Sequence, residues 1–427
     1  MTYADIILPL PLEGYFTYCV PDTLAPRLQP GCRVRVPLGK TKTYTGLVAA
    51  LHDQVPAGLK TGKEGVKSIV EMMDPGPVLL PQQLRLWQWI ADYYLSPIGD
   101  VYKAALPSGL KAEDDYRPKT ETYVVLADDF RSAQALRAAQ AMLQRAPAQQ
   151  KVLRAYLELA SVSEENPVPQ REITREELMN EAHCTATVLR QFLDRRILRQ
   201  YEKEVGRIPL GGMPHPEHIK PLSEAQADAC NQILVQQMSK DITLLHGVTS
   251  SGKTEIYIHL IQRALDEGRQ VLYLLPEIAL TVQMMQRLRR VFGDRLGIYH
   301  SRYSDAERVE IWKRQLSDHP YDVILGARSA LFLPFQRLGL VIVDEEHEQS
   351  FKQMDPAPRY HARSAAIILA KLCGAKVLLG TATPSSESYW NAQTGKYGYV
   401  RLDKRYQDMA LPAVEVVDVK DLRRRTK

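Results

Sequence analysis

A multidomain α/β protein is the fold class predicted by this 427-residue sequence, and three observations predict it. From about residue 222 onward, near-continuous apolar runs alternate with stretches at helical spacing, as in a doubly wound parallel sheet covered on both faces. Inside that region, Gly247-Val248-Thr249-Ser250-Ser251-Gly252-Lys253-Thr254 fits G-x-x-x-x-G-K-[ST]. A buried-strand pattern precedes it, and Ile256, Tyr257, Leu260, Ile261, Ala264 and Leu265 follow at helical spacing. Residues 1 to about 105 instead carry short apolar segments between Pro and Gly signals, the mark of a small β-rich domain.

The β-rich domain is expected to hold strands at 4–8, 15–20, 32–36, 44–51 and 66–72. A helix then places Leu84, Trp87, Ala91 and Tyr94 on one face. Trp87 and Trp89 read as core packing. Residues 106–117 read as a linker, and the pattern from about 119 to 205 is mostly helical. It contains an amphipathic helix at 151–160, a capping box opening at Thr174, a further helix at 185–193 and a strand running into a basic wing at 196–201. Two short helices followed by a wing predict a winged-helix domain; a plain helical connector is the alternative. A second linker at 206–221 leads to the domain at 222–427, with strands expected at 242–246, 271–275, 323–325, 340–344 and 376–379. His215 and His218 read as solvated linker residues.

Composition narrows the function classes. Hydrophobic residues make up 45% and charged residues 25%, a balance suited to a packed core rather than to disorder. A net charge of +5 permits a nucleic-acid partner without demanding one. The five cysteines lie far apart with no C-x-x-C, against a disulfide framework or a zinc site within this sequence. There is no basic-then-apolar leader and no run of about 18 apolar residues, so neither a signal peptide nor a membrane span is expected, and the cytoplasm is the expected compartment.

The phosphate-cradling motif sets the chemistry. Turn N–H groups and a helix N-terminus bind phosphate oxygens, so Gly247, Val248, Thr249, Ser250, Ser251, Gly252, Lys253 and Thr254 are expected to bind a nucleoside triphosphate. Lys253 reaches the β- and γ-phosphates and Thr254 holds Mg²⁺. Downstream, a buried-strand pattern ends on Asp344-Glu345-Glu346-His347. Acids in that position often open a solvated helix, but after a phosphate loop Asp344 is placed to hold Mg²⁺ and Glu345 to orient or deprotonate the attacking water. Lys253, Asp344 and Glu345 are therefore the candidate catalytic residues.

Three further segments, 275–281, 326–332 and 380–385, leave the C-terminal ends of expected parallel strands, where such sheets bind ligands. Thr281, Arg328 and Ser329 are candidates to grip phosphates of a single strand, and Thr381 and Thr383 to couple nucleotide state to strand contacts. Between the acid motif and Thr381, the loop at 350–363 interleaves Phe351, Lys352, Arg359, Tyr360 and Arg363. Rings can stack bases while cations hold phosphates. The alternative is that Phe351 and Tyr360 anchor the loop in the core.

Taken in order, these segments, with Gly31-Cys32-Arg33-Val34-Arg35-Val36-Pro37 near the start and Arg359-Tyr360-His361-Ala362-Arg363, resemble the PriA family of bacterial replication-restart helicases over nearly all the chain. Asp-Glu-x-His is the form of the acid motif in superfamily 2 helicases. The resemblance implies a RecA-like helicase lobe at 222–427, behind a 3′-DNA-end-binding domain at 1–105 and a winged helix within 106–205. It implies an ATP-dependent 3′–5′ DNA helicase that binds abandoned or stalled forks, remodels them and initiates primosome assembly to reload the replicative helicase. ATP and Mg²⁺ are the implied cofactors, with Zn²⁺ only in a C-terminal part beyond this sequence. The implied partners are branched and single-stranded DNA, single-stranded DNA-binding protein and other primosome proteins. A nucleoid-associated monomer in the bacterial cytoplasm is the implied state, and Gln226 joins the nucleotide-binding residues.

For the end-binding pocket, Phe16, Gly39 and Lys67 match the family, while Thr17 stands where many members have Asp. A Thr hydroxyl accepts a hydrogen bond from a terminal hydroxyl less strongly than a carboxylate does. Ser364 likewise replaces an acid. The sequence ends at 421–427, about where the family's second lobe begins. The chain is therefore expected to be an N-terminal part that binds DNA, binds ATP weakly and scarcely hydrolyses it, because phosphoryl-transfer sites depend on an arginine finger. The alternative function is a non-catalytic module for fork recognition and partner recruitment.

Overall fold

The computed structural model describes residues 2–54, 66–111, 120–163, 165–204, 212–279 and 281–405. The expected linker segments at 112–117 and 206–211, Leu280, and the basic end at 421–427 lie outside the described residues. The chain forms two compact units, Met1–Tyr116 with Leu210–Lys427, and Arg117–Pro209.

The first unit begins with an antiparallel sheet of five strands in the order β2-β1-β4-β3-β5. These are β1 (Tyr3–Ile7), β2 (Phe16–Cys19), β3 (Arg33–Leu38), β4 (Lys42–His52) and β5 (Glu71–Met72). Alternating Ile6, Val34, Val36 and Val48 form its buried face. The strand expected at 66–72 shrinks to β5. Its first residues pair instead with the end of β2, where Cys19 N donates to Lys67 O at 2.8 Å, before Val70 N turns to Arg35 O at 2.9 Å. Buried Arg33 is held by the Asp74 carboxylate at 2.6 and 2.8 Å and by Leu110 O at 2.6 Å.

Helix α1 (Pro81–Tyr93) starts on Pro81, with the Gln83 side chain accepting from Leu80 N at 2.8 Å. Its buried face carries Leu86, Trp87, Ile90 and Ala91. Trp89 departs from the expectation: it lies outside that face and stacks on Tyr93 at 4.8 Å. Two short helices, α2 (Ile98–Ala105) and α3 (Ser108–Lys111), follow.

The second unit is a small three-stranded sheet, order β7-β6-β8, with helices packed on it. It comprises β6 (Thr120–Leu126), α4 (Ala133–Met142), α5 (Pro147–Leu159), β7 (Ile173–Thr174), α6 (Arg175–Glu181), α7 (Ala186–Leu193) and β8 (Leu198–Glu204). The central strand β6 corrects the helical expectation at its start; Tyr123, Val124 and Val125 are strand formers. Thr174 and Thr185 cap α6 and α7 with their hydroxyls. Val124, Tyr156, Leu178, Leu189 and Phe192 fill the core, and the helix–helix–wing order is that of a winged helix.

The remaining part of the first unit is a seven-stranded sheet whose strands all run parallel, order β11-β12-β10-β13-β14-β9-β15. Its elements are α8 (Glu224–Ser239), β9 (Ile242–Gly247), α9 (Lys253–Asp266), β10 (Gln270–Leu274), α10 (Val282–Phe292), β11 (Leu296–Tyr299), α11 (Asp305–Leu316), β12 (Val323–Gly326), β13 (Leu338–Asp344), α12 (Ala362–Cys373), β14 (Lys376–Thr381), α13 (Ser386–Gln393) and β15 (Gly398–Leu402). The five expected strands are present. The two edge strands, β11 and β15, were not expected.

The antiparallel sheet and the parallel sheet are joined through buried polar bonds. Gln83 Nε2 donates to Phe332 O at 2.6 Å, Gln82 Nε2 to Phe335 O at 2.8 Å, and Trp312 Nε1 to Val78 O at 2.8 Å. Gln83 is fully buried with both ends of its amide in use. Gln83→Leu keeps the volume and orphans Leu80 N–H and Phe332 C=O, so it should destabilise the fold by about 2–4 kcal/mol in urea unfolding. An unchanged midpoint would show that this junction carries no stability.

Candidate active site

The phosphate loop joins β9 to α9. Gly252 sits at the helix N-cap with φ +79°, a left-handed turn that favours glycine, and a Cβ there would fall 2.2 Å from Gln226 Nε2. Lys253 Nζ donates to Gly247 O at 3.0 Å, and the buried Ser251 Oγ has no hydrogen-bond partner among the described residues. The loop opens on a cleft of about 650 Å³ lined by Thr249 through Glu255, Asp344 and Glu345. His218, an exposed residue of the expected linker, also lines it, with Lys220 and Arg287. Gln226 does not line the cleft. It is buried and donates to Ser251 O at 3.0 Å while accepting from Ser223 N at 3.0 Å, so its amide supports the phosphate loop.

Asp344 ends β13 and Glu345 follows with φ +49°, a conformation that non-glycine residues adopt at a cost and that clusters at functional sites. Asp344 is buried. Tyr257 OH donates to its Oδ1 at 2.9 Å and Tyr273 OH to its Oδ2 at 3.3 Å. Burial first, then the Glu345 carboxylate, push the Asp344 acid up to about 6. Burial and Asp344 in turn raise both tyrosine hydroxyls well above their usual value. Gly380 leaves the space these groups need, since a Cβ there would fall 1.8 Å from Tyr257 OH. The sequence reading placed Tyr257 in the core and did not find its hydroxyl; its position one turn after Thr254 on α9 was the available signal.

The third acid of the motif takes a different role. Glu346 is fully buried and accepts from Arg363 Nη1, from Ser385 N at 2.7 Å, from Ser385 Oγ at 3.0 Å and from Ser388 Oγ at 2.8 Å. Arg363 is therefore corrected: its guanidinium is largely buried on Glu346 and Ser385 rather than offered to DNA. His347 lies between the two expected coupling residues, with Nδ1 2.7 Å from Thr381 Oγ1 and Nε2 3.3 Å from Thr383 Oγ1.

The expected strand-binding residues separate into two groups. Thr281 is exposed and caps α10. Lys352 and Ser329 are half-buried, and Arg359 is exposed. Arg328 Nη1 donates to Lys352 O at 3.0 Å, bracing the 350–363 loop. Phe351 and Tyr360 are each only 1% exposed, so their rings anchor this loop in the core and cannot stack a base. At the other sheet, Lys67 Nζ donates to Gly39 O, and Phe16 and Thr17 lie on neighbouring β2. Thr17 Oγ1 donates to Asp5 Oδ1 at 2.8 Å across the β1–β2 pair, so a carboxylate stands beside Thr17 after all, one strand away.

Comparison with known proteins follows the same order along the chain. A 3′ DNA-binding domain model of PriA matches residues 5–107, a winged-helix model of PriA helicase from Bacteroidota matches 121–205, and a DEAD/DEAH box helicase model matches 223–390. The class is thus a DEAD/DEAH-type helicase domain carried behind two DNA-binding domains. Replication restart protein PriA of Haemophilus influenzae is 34% identical over 425 residues, covering 99% of this chain and 54% of that protein. The Bacillus subtilis protein of the same name is 31% identical over 475 residues, covering 99% of this chain and 58% of its own length. That of Rickettsia felis is 45% identical over 198 residues, 46% of this chain and 30% of the relative. The chain belongs to the PriA family, and it spans about half the length of the curated relatives that match it end to end.

Two outcomes test this geometry. Gly380→Ala forces a methyl against Tyr257 and should destabilise the fold by about 1–3 kcal/mol. Tyr257→Phe should recover part of that loss in a double-mutant cycle, whereas strictly additive effects would show that the two residues do not meet. The second outcome concerns pH. The folded Asp344 acid lies above its unfolded value near 4, so the penalty is absent below pH 4, grows between about 4 and 6, and is complete above 6. Asp344→Asn should therefore stabilise the metal-free protein by about 1–3 kcal/mol at pH 8 and by nothing at pH 4. Equal unfolding midpoints at pH 8 would contradict the burial argument.

Proposed function

We propose that this chain is the DNA-binding and first-lobe part of an ATP-dependent 3′–5′ DNA helicase that binds abandoned or stalled replication forks, remodels them and starts reloading of the replicative helicase. One observation carries the proposal: the phosphate loop and the Asp344-Glu345 pair face one cleft at the C-terminal edge of a parallel sheet, next to the loops that leave neighbouring strands. Membership of a family whose named relatives are replication restart proteins supports the fork-directed part.

The cleft's donor set fits a magnesium nucleotide. Asp344 is a buried carboxylate poorly solvated as an anion, which a cation would stabilise, and Ser251 Oγ is a buried hydroxyl without a partner among the described residues. Thr254 and Asp344 would hold Mg²⁺, which supplies positive charge to the β- and γ-phosphate oxygens. Loop N–H groups and Lys253 bind the phosphates, and Glu345 orients the attacking water. Tyr257 and Tyr273 keep Asp344 turned toward the cleft. Thr381 and Thr383, both tied to His347, carry a change at the acid motif to the adjoining loop. Phe16, Thr17 with Asp5, Gly39 and Lys67 form the end-binding pocket. Single-stranded DNA-binding protein and other primosome proteins are the partners this function calls for. Among the described residues no helix is long and apolar enough to cross a membrane.

Lys253→Ala should weaken nucleotide binding by this chain at least tenfold in a fluorescent-nucleotide titration, because the β- and γ-phosphates lose their cation. Glu345→Gln should leave binding nearly intact and lower turnover wherever turnover is measurable. Equal nucleotide affinity of wild type and Lys253→Ala would remove the ATPase assignment and leave a fork-binding module. DNA affinity should also fall steeply as salt rises, and a flat log–log dependence would argue against a phosphate-bearing ligand.

A further inference from the structure

We propose that the C-terminal end of α1, with the 350–363 loop beside it, is a stacking platform for the bases of single-stranded DNA. The inference rests on the DNA-strand reading above and assigns a surface to it.

Arg85, Trp89 and Tyr93 stand at i, i+4 and i+8 on α1 and so form one stripe along the helix. The Trp89 and Tyr93 rings are 4.8 Å apart and inclined by only 17°, while Tyr94 sets its edge against both at 5.9 and 5.0 Å. Tyr94 is fixed in turn to the lobe: its hydroxyl accepts from His361 N at 3.1 Å, and Lys352 Nζ lies 5.0 Å from its ring centre. The helix ends in a left-handed turn at Leu95, φ +48°, which carries that side chain outward. Tyr93 is 65% exposed, Leu95 92% and Met354, on the adjoining loop, 72%. Core packing does not account for these groups, since Trp87 fills that place on α1.

The charges around the cluster favour a nucleic-acid strand. Arg85 is exposed with no ion pair among the described residues. Lys352 stands over the Tyr94 ring. Arg359 is exposed; its Nε donates to Met354 O at 2.8 Å, and exposed Asp355 stands 3.8 Å away. Asp92, next to Tyr93 in the chain, accepts from Gln88 Nε2 at 2.7 Å. Near-parallel rings, Tyr93 exposed and Trp89 half-buried, flanked by cations suit a base that stacks and a phosphate that follows it; in a duplex both faces of a base are already covered. The buried Phe351 and Tyr360 leave the 350–363 loop without a stacking ring of its own. The α1 cluster provides one, touching that same loop at Lys352 and His361.

The test is a titration of the full chain with oligo(dT), read by anisotropy and by tryptophan emission. Tyr93→Ala should weaken oligo(dT) binding about tenfold at an unchanged unfolding midpoint, as expected for loss of one stacked base. The oligonucleotide should quench emission in wild type and in Trp390→Phe but not in Trp89→Phe, and a blunt duplex should quench none of them. Arg85→Ala should reduce the slope of log affinity against log salt by about 0.7. Oligo(dT) affinity within twofold of wild type for Tyr93→Ala, with quenching retained in Trp89→Phe, overturns the platform and leaves the DNA reading standing. No oligo(dT) binding by any form overturns both.

Discussion

The buried carboxylate of Glu346 is the constraint on which the catalytic edge of the parallel sheet depends. It belongs to the acid motif after β13, yet its hydrogen bonds reach Arg363 on α12 and Ser385 and Ser388 at the start of α13. The two connections that leave the neighbouring strands β13 and β14 are thereby tied to one fully buried anion. Such an anion is stable only while every partner stays in place; removing one side of a buried ion pair costs about 3–5 kcal/mol. The motif thus divides its labour, with Asp344 and Glu345 facing the cleft and Glu346 facing inward to hold the surrounding loops.

Asp344 shows the opposite solution to burying an acid. It accepts from two tyrosine hydroxyls and from Glu345 N–H, no cation pairs with it among the described residues, and burial with the Glu345 carboxylate pushes its acid up to about 6. That is an unfavourable state for a structural carboxylate and a suitable one for a group that receives a metal ion, because the ion's charge reverses the desolvation penalty. Gly380 and Tyr257 complete the arrangement: a residue with no side chain on β14 leaves room for a hydroxyl from α9. The phosphate loop's helix and the acid motif's strand are therefore positioned by one contact.

Spacing and strand–turn–helix context made the phosphate loop and the acid pair legible in the sequence, because their chemistry depends on residues adjacent in the chain. The five inner strands were legible for a similar reason, as long apolar runs. The edge strands β11 and β15 were not, although they are as long as the inner strands β12 and β10. Inward and outward direction was also hidden. Phe351, Tyr360 and Arg363 sit in a loop whose composition is that of a nucleic-acid contact, yet all three face the interior. Trp87 and Trp89, two residues apart on α1, fall on different faces, and the helical period separates them only once the helix's buried side is known. Asp5 escaped notice beside Thr17 because register across strands, not sequence, brings them together.

The joined sheets give these details a common consequence. Gln83, Gln82 and Trp312 fix α1 and its flanking turn to the parallel sheet through bonds to Phe332, Phe335 and Val78. The Phe332 carbonyl belongs to the segment that begins at Arg328, and Arg328 braces the 350–363 loop. That loop leads directly into Arg363 and hence to Glu346. A continuous set of packed and hydrogen-bonded groups therefore runs from α1 to the acid motif, with the Arg328 and Arg363 side chains among its links. Physical continuity of this kind is a route by which strand contact at α1 can bias the cleft, provided the 350–363 loop has a second arrangement to move to. Its two prolines, Pro356 and Pro358, and the exposed tip at Met354 and Asp355 place any such rearrangement at the loop's outer turn, leaving Phe351 and Tyr360 as its fixed ends.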